Sequence, residues 1–308
     1  MAKILAKTKD MSVEEWRKLR KGSIGGSDAA TILGFNNFSS LYTLYADKLN
    51  LISDKLDNEV MRIGRDLEEY VALRFTEATG KKVKRDNHMY IHDDYDFISA
   101  NIDRRIVGEN AGLECKTTNL FNKSDFENGE IPLYYYCQCM HYMAVMGFEK
   151  MYLAVLILGK AFYWFEIKRD ENEIASLINS EIEFWNNYVL TKTPPPVDDS
   201  QSTTNTLKEL YSEGGQAENI YLGTELEILA KTQTEIKELK KREEKYKNII
   251  IEKLGNNDNG FSEKFIVTYK KQQRSDIDKS RLKKEQPNIY KEYQKTTSLR
   301  IMRVKEAN

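Results

Sequence analysis

The chain has 308 residues, 40% of them apolar and 31% charged, with a formal charge of −1 at neutral pH. Its longest uninterrupted apolar stretch, 151–158, is far short of the ~20 residues that a membrane-spanning helix requires, which excludes a helical membrane protein. The three cysteines, Cys115, Cys137 and Cys139, cannot all pair and lack a fourth partner for a tetrahedral zinc or iron-sulfur site, so they read as reduced, buried small side chains.

The basic, polar start MAKILAKTKD has no apolar core of a secretion signal, and the expected compartment is the cytosol. In chain order, residues 60–79 carry apolar side chains at helical spacing and end at Gly80, a suitable C-cap. Strand-like runs follow at 82–91, 97–107 and 111–116. Residues 132–146 then read as a buried helix, 151–157 and 161–167 as two more strands, and 171–190 as a long amphipathic helix. This order predicts a mixed α/β core of the α+β kind.

Three consecutive prolines in TKTPPPVDDSQ (191–201) can continue neither a helix nor a sheet interior, and the core is expected to end there. We therefore place a core at 1–195, a linker at 196–222 and a C-terminal arm at 223–308. Within the arm an apolar stripe from Leu222 to Leu254 predicts one long helix over 224–254, and KFIVTYKK (264–271) alternates like a strand. Charge is uneven: residues 201–308 hold 22 Lys and Arg against 17 Asp and Glu, and 261–308 alone hold 13 against 6. Such a basic segment suits a polyanion or a solvated surface.

The most informative stretch is ISANIDRRIVGENAGLECK (98–116). It puts Asp103 at the end of one predicted strand and Glu114-Cys115-Lys116 on the next, after a tight turn. Strand alternation points Glu114 and Lys116 to one face and Cys115 to the other. Two carboxylates supply hard oxygen ligands for Mg²⁺ or Mn²⁺, and an adjacent ammonium can orient water and stabilise charge developing on a phosphate. The plain alternative is a surface carboxylate at Glu114 paired with Lys116. Around it, Leu113 and Cys115 are apolar, where charged side chains are rare without a reason.

The spacing from Asp103 to Glu114-Cys115-Lys116 resembles the metal site of the PD-(D/E)xK nuclease superfamily. Further segments resemble the lambda exonuclease and YqaJ-like viral recombinase family: Trp16 to Arg20 with Gly22 and the run Ile24-Gly25-Gly26-Ser27-Asp28-Ala29-Ala30; Gly64-Arg65-Asp66-Leu67-Glu68; and Tyr136-Cys137-Gln138-Cys139-Met140-His141-Tyr142. The resemblance covers about residues 12–195. It departs from the pattern at Ile102, which replaces a proline, and at Met140, which replaces a second glutamine. It implies a restriction-endonuclease-like core with a central mixed sheet flanked by helices.

By residue matching, Asp103, Glu114 and the Cys115 carbonyl would bind metal, Lys116 would position or activate the water, Glu68 would add an acidic group, and Gln138 would orient water or phosphate. Arg20 and Ser27 match positions at the 5′-terminal phosphate, and Asn101 stands where the lambda relative has a serine near that phosphate. Ser27-Asp28 before Ala29-Ala30 also reads as a helix start, whose free N–H groups favour an anion. Plainer readings stand beside these: Arg20 as a surface arginine, Glu68 as a solvated helix residue, Gln138 as a satisfied core amide and His141 as a packing residue. Among Phe35, Phe38, Tyr42 and Tyr45 a base-stacking role competes with core packing.

The resemblance implies a Mg²⁺-dependent exonuclease that degrades double-stranded DNA from 5′ ends and leaves 3′ single-stranded tails. It further implies a phage recombination setting, a single-strand annealing protein as partner and a ring-shaped homotrimer. The rivals are a structure-selective or nicking endonuclease with the same metal site, and a non-catalytic DNA-binding or assembly module.

Overall fold

The computed structural model describes residues 2–54, 57–119, 126, 128–215, 218–297 and 300–305. The chain forms two compact units, Met1–Tyr211 and Ser212–Asn308. The first runs β1 (Lys3–Lys7), α1 (Val13–Lys21), α2 (Gly26–Ile32), α3 (Leu41–Lys48), α4 (Glu59–Thr79), β2 (Val83–Arg85), β3 (His88–Ile91), β4 (Ser99–Ala100), β5 (Arg104–Ile106), β6 (Ala111–Thr118), α5 (Leu133–Met146), β7 (Lys150–Ile157), β8 (Ala161–Lys168), α6 (Glu171–Phe184), a π-helical turn (Trp185–Leu190) and α7 (Gln201–Leu210).

A five-stranded sheet in the order β2-β5-β6-β7-β8 organises this unit. Its pairs are antiparallel except β6 with β7, which run parallel. A parallel neighbour requires a crossover, and α5 supplies it. Strand β7 is buried on both faces. Met151, Leu153, Val155 and Ile157 face the cluster that includes α5 and α6, and Tyr152 and Ala154 meet Val71, Ala72 and Phe75 of α4. Helix α4 starts at Asn58, whose side chain accepts from Met61 N–H, and stops at Gly80, whose φ of 71° is left-handed.

The predicted strand at 82–91 is split between two sheets, because the Asp86 carboxylate takes the His88 N–H at 3.1 Å and turns the chain. β3 belongs to a separate sheet, β1-β3-β4. The predicted strand at 97–107 is likewise broken at 101–103, leaving β4 and β5. Residues 171–190 start as the expected helix but end in the π-helical turn.

The expected linker at 196–222 is only partly extended: residues 201–210 form α7, packed on α3. Its sequence, QSTTNTLKEL, lacks an apolar stripe, and hydroxyls make the contact instead. Thr43 Oγ1 meets Ser202 Oγ and Thr206 Oγ1, both at 2.8 Å, and Thr203 Oγ1 donates to Ser40 Oγ at 2.8 Å.

In the second unit, α8 (Glu225–Leu254) is the predicted long helix, with Leu254 its one buried residue. A hairpin of β9 (Asn259–Phe261) and β10 (Ile266–Thr268) packs Gly260 against Leu254 and leaves Phe261 and Ile266 on the open face. The strand predicted over 264–271 is thus shorter, and α9 (Lys279–Glu285) and α10 (Pro287–Glu292) follow it. Among the described residues no helix is long and apolar enough to cross a membrane.

Candidate active site

Asp103 and Glu114 converge. β5 and β6 are antiparallel with Arg104 opposite Leu113, and their pairing ends there, so the β5 side of Glu114 and Cys115 is open. Asp103 fills the gap, its Oδ2 accepting the Cys115 N–H at 2.8 Å. In an extended strand a residue's C=O leaves on the same side as its N–H, so the Cys115 carbonyl also faces that opening. Burial pushes the Asp103 carboxyl well above the usual carboxylate range, and the negative charges of Glu114 and then Glu68 push it further.

Glu114 is buried. Its Oε1 accepts from Gln138 Nε2 at 2.8 Å and pairs with Lys116 Nζ at 2.6 Å. Among the described residues its Oε2 is buried with no hydrogen-bond partner. A buried carboxylate oxygen left bare is costly, and a cation is the partner that would satisfy it. The donors present, two carboxylates and a main-chain carbonyl, are the hard oxygen set that suits Mg²⁺ or Mn²⁺. Burial would lower the Lys116 pKa, but Glu114 and Asp103 outweigh it and hold the ammonium charged, raised above its ordinary value.

The Glu114–Lys116 pair that a bland reading of the sequence offers is therefore real, and it occupies one of the two Glu114 oxygens. Cys115 points to the apolar side as expected, and all three cysteines are free thiols.

Glu68 lies near enough to raise the Asp103 pKa, but its Oε1 is held by two guanidiniums, those of Arg104 and of Arg85, the latter at 2.9 Å. Among the described residues no three His, Cys, Asp or Glu side chains come together as a metal cage. The side chain of Glu68, expected from the sequence as a further acidic group, thus sits beside Asp103 with Arg104 and Arg85 on one of its oxygens. Arg104 itself, missed in the sequence, is 1% exposed and ties Glu68, Glu69 and the Asp103 carbonyl (2.8 Å) together, which fixes α4 against the start of β5, next to Asp103.

On α5, Gln138 Nε2 donates to Tyr142 Oη at 2.8 Å as well as to Glu114, so both of its N–H groups are used within the site. The two are one helical turn apart and share a face. The Tyr142 ring lies where a Cβ at Gly26 would be, 2.5 Å from Cε1, so only glycine admits it. Tyr142 was not singled out in the sequence, although its spacing from Gln138 was a usable signal. Gln138 and Tyr142 thereby stand between the acidic pair and the Gly26-Ser27 segment.

Beyond that segment Arg20, Ser27 and Asn101 line one cavity of about 730 Å³, together with Trp16, Asp28 and Arg65; the acidic pair is not part of its lining. Arg20 donates to Ser27 Oγ and lies over the Trp16 ring, 5.0 Å from its centroid. Asn101 donates to the His88 carbonyl at 3.0 Å. Helix α2 has only seven residues, and Asp28 Oδ2 already takes the Gly25 N–H at 3.0 Å. The cavity thus presents the Arg20 and Ser27 side chains, while the Gly25 N–H at the start of α2 is already taken. Of the aromatic set, Tyr42 and Tyr45 are core residues, whereas Phe35 and Phe38 are exposed.

His141, read as a packing residue, is wholly buried in an ion pair with Glu181, with Nδ1 to Oε1 at 2.7 Å and Nε2 to the Ser99 carbonyl at 2.8 Å. Both ring nitrogens face acceptors, so both carry protons. Burial disfavours that charge, but Glu181 outweighs it and the His141 pKa is raised.

A mixed sheet bearing an acidic pair and a lysine where one strand pairing ends, with helices on both faces, defines a restriction-endonuclease-like α/β protein. Residues 15–149 match the YqaJ-like viral recombinase domain. The uncharacterized protein YqaJ of Bacillus subtilis (strain 168) is 37% identical over 100% of this chain and 98% of its own length. The chain belongs to the YqaJ-like viral recombinase family. An alkaline exonuclease of Laribacter hongkongensis, LHK-Exo, shares the fold: its crystal structure covers 59% of this chain and 94% of its own at 19% identity and a TM-score of 0.50. Its complex with dAMP matches over the same shares with a TM-score of 0.51.

Proposed function

We propose that this protein is a divalent-metal-dependent deoxyribonuclease, acting as an exonuclease from the 5′ ends of double-stranded DNA and leaving 3′ single-stranded tails for recombination by strand annealing. The observation that carries this reading is the buried Glu114 carboxylate, bonded through one oxygen and bare at the other, beside the buried Asp103. The family name and the exonuclease fold relative support it.

Asp103, Glu114 and the Cys115 carbonyl would hold Mg²⁺, with Mn²⁺ as a substitute. Bound there, the ion would supply positive charge to the phosphate and acidify a water. Lys116, charged and anchored on Glu114, presents its ammonium to the attacking water and to developing phosphate charge. Gln138 fixes Glu114 and Tyr142 in place. Arg20 and Ser27 grip the terminal 5′-phosphate, because a planar guanidinium fork fits phosphate oxygens. A phage setting, a homotrimeric ring and a partner annealing protein complete the proposal, by family likeness.

The test is digestion of linear duplexes with 5′-phosphate or 5′-hydroxyl ends and of covalently closed circles, each with and without Mg²⁺. An exonuclease of this kind consumes 5′-phosphorylated linear DNA fastest and spares the circles. Cleavage of closed circles would make it an endonuclease. Arg20→Ala is expected to reduce the preference for 5′-phosphate over 5′-hydroxyl ends by about tenfold to a hundredfold, and an equal loss on both ends would argue against the end grip.

The basic C-terminal unit is proposed to lie on the duplex. Replacing Lys264, Lys270, Lys271 and Arg274 together by Gln in the full chain should flatten the dependence of DNA affinity on salt, by about one unit of log–log slope per lost phosphate contact. An unchanged slope would assign this surface to a protein partner.

A further inference from the structure

Lys48, at the end of α3, is a lysine on a buried helix face: its side chain is 2% exposed. An ammonium in such a place needs partners for its three donors. It finds them all on one segment, donating to the Arg20 carbonyl at 3.0 Å, the Ser23 carbonyl at 2.6 Å and Asp28 Oδ2 at 2.7 Å. That segment carries both residues of the end grip, Arg20 and Ser27.

Asp28 is the reason the contact matters. Its carboxylate is buried and its Oδ1 is 4.0 Å from the Arg20 guanidinium. Burial alone would raise its pKa, but Lys48 and then Arg20 more than offset this and keep it ionised. An arginine beside an unpaired buried carboxylate closes onto it in a bidentate pair, and its N–H fork is then no longer free for a phosphate. With Lys48 present the three groups sum to one positive charge; without it they sum to zero.

We propose that Lys48 is a positioning residue that sets the specificity of the end grip: by holding Asp28 and the carbonyls of Arg20 and Ser23, it keeps Arg20 available to the terminal 5′-phosphate. This rests on the reading of Arg20 and Ser27 as that grip. Lys48 touches no substrate itself.

The experiment measures kcat and KM on linear duplexes with 5′-phosphate and 5′-hydroxyl ends for the wild type, Lys48→Met, Asp28→Asn and the double variant, all in the full chain with Mg²⁺. Lys48→Met keeps the aliphatic stem but takes the ammonium from Asp28, leaving Arg20 as its nearest cation. Its preference for 5′-phosphate ends is expected to fall about tenfold to a hundredfold, the loss of a charge-assisted hydrogen bond, through KM on phosphorylated ends, with a far smaller change on 5′-hydroxyl ends. The double variant removes the competing carboxylate as well, leaves no unpaired buried charge and should recover most of the preference. Asp28→Asn alone removes the competing carboxylate and should retain the preference where the variant folds, at a cost in stability because the Lys48 ammonium loses its counterion.

Wild-type preference unchanged in Lys48→Met overturns the inference and leaves the Arg20 grip standing. An equal loss on both ends, not restored in the double variant, assigns Lys48 a purely structural role and also overturns it. Should Lys48→Met fail to fold, loss of the preference in Asp28→Asn or in a folded double variant has the same force. A wild type indifferent to the 5′-phosphate removes the grip itself, and this inference with it.

Discussion

Glu114→Ala is expected to abolish DNA cleavage, lowering kcat by about 10³-fold or more, while DNA binding measured by fluorescence anisotropy stays close to wild type. The expectation follows from how Glu114 is used. One of its oxygens fixes Lys116 and Gln138, and the other is the bare buried atom that calls for a cation. On the proposed reading, removing the side chain deletes a metal ligand and releases the lysine and the glutamine at once, so no neighbouring group can substitute. Lys116→Ala should cost about 10²–10³-fold, the scale of one removed electrostatic stabiliser, because the carboxylates remain. Full activity in either variant would mean that the Glu-Cys-Lys strand is structural and that the chemistry lies elsewhere.

The second large effect concerns stability. Glu181→Leu strips a fully buried imidazolium of its counterion and should lower the unfolding free energy by about 3–5 kcal/mol, read from urea denaturation. Its pH dependence has a definite sign. The folded-state pKa of His141 is raised above its ordinary value near 6.5, so the stabilisation is fully present below that value and is lost as pH rises through the folded-state value. The gap between wild type and Glu181→Leu should therefore be larger at pH 6 than at pH 9. A gap under about 1 kcal/mol, or one that widens with pH, would show that the pair is not charged in the fold. The pair joins α5 and α6 to the Ser99 carbonyl, so its loss should also loosen the helix that carries Gln138 and Tyr142.

Where side-chain periodicity reflects burial, the fold is legible in the sequence. Helix α4 and its Gly80 cap, the doubly buried β7 and the crossover helix α5 all follow from apolar spacing and chain punctuation. The convergence of Asp103, Glu114 and Lys116 needs only strand alternation and a tight turn. Features set by polar side chains are not legible in that way. Asp86 ends a strand by capturing a backbone N–H, and α7 packs through threonine and serine hydroxyls where no hydrophobic pattern exists.

The same holds within the site. The partners of Glu68 are not readable, since an arginine inside a strand gives no hint that it will find this carboxylate. Tyr142 was within reach, one turn from Gln138 on an otherwise apolar helix. Lys48 was readable as well, since it continues the buried face marked by Leu44 and Tyr45, although its partners at Arg20, Ser23 and Asp28 are fixed only by the tertiary fold.

The central claim is that Asp103 and Glu114 together hold a divalent ion. Titration of Mn²⁺ into the full-length protein, followed by electron paramagnetic resonance, tests this without any substrate. The account predicts saturable binding to the wild type that is lost in Glu114→Ala and weakened in Asp103→Asn. Mn²⁺ binding of wild-type strength in both variants would contradict it.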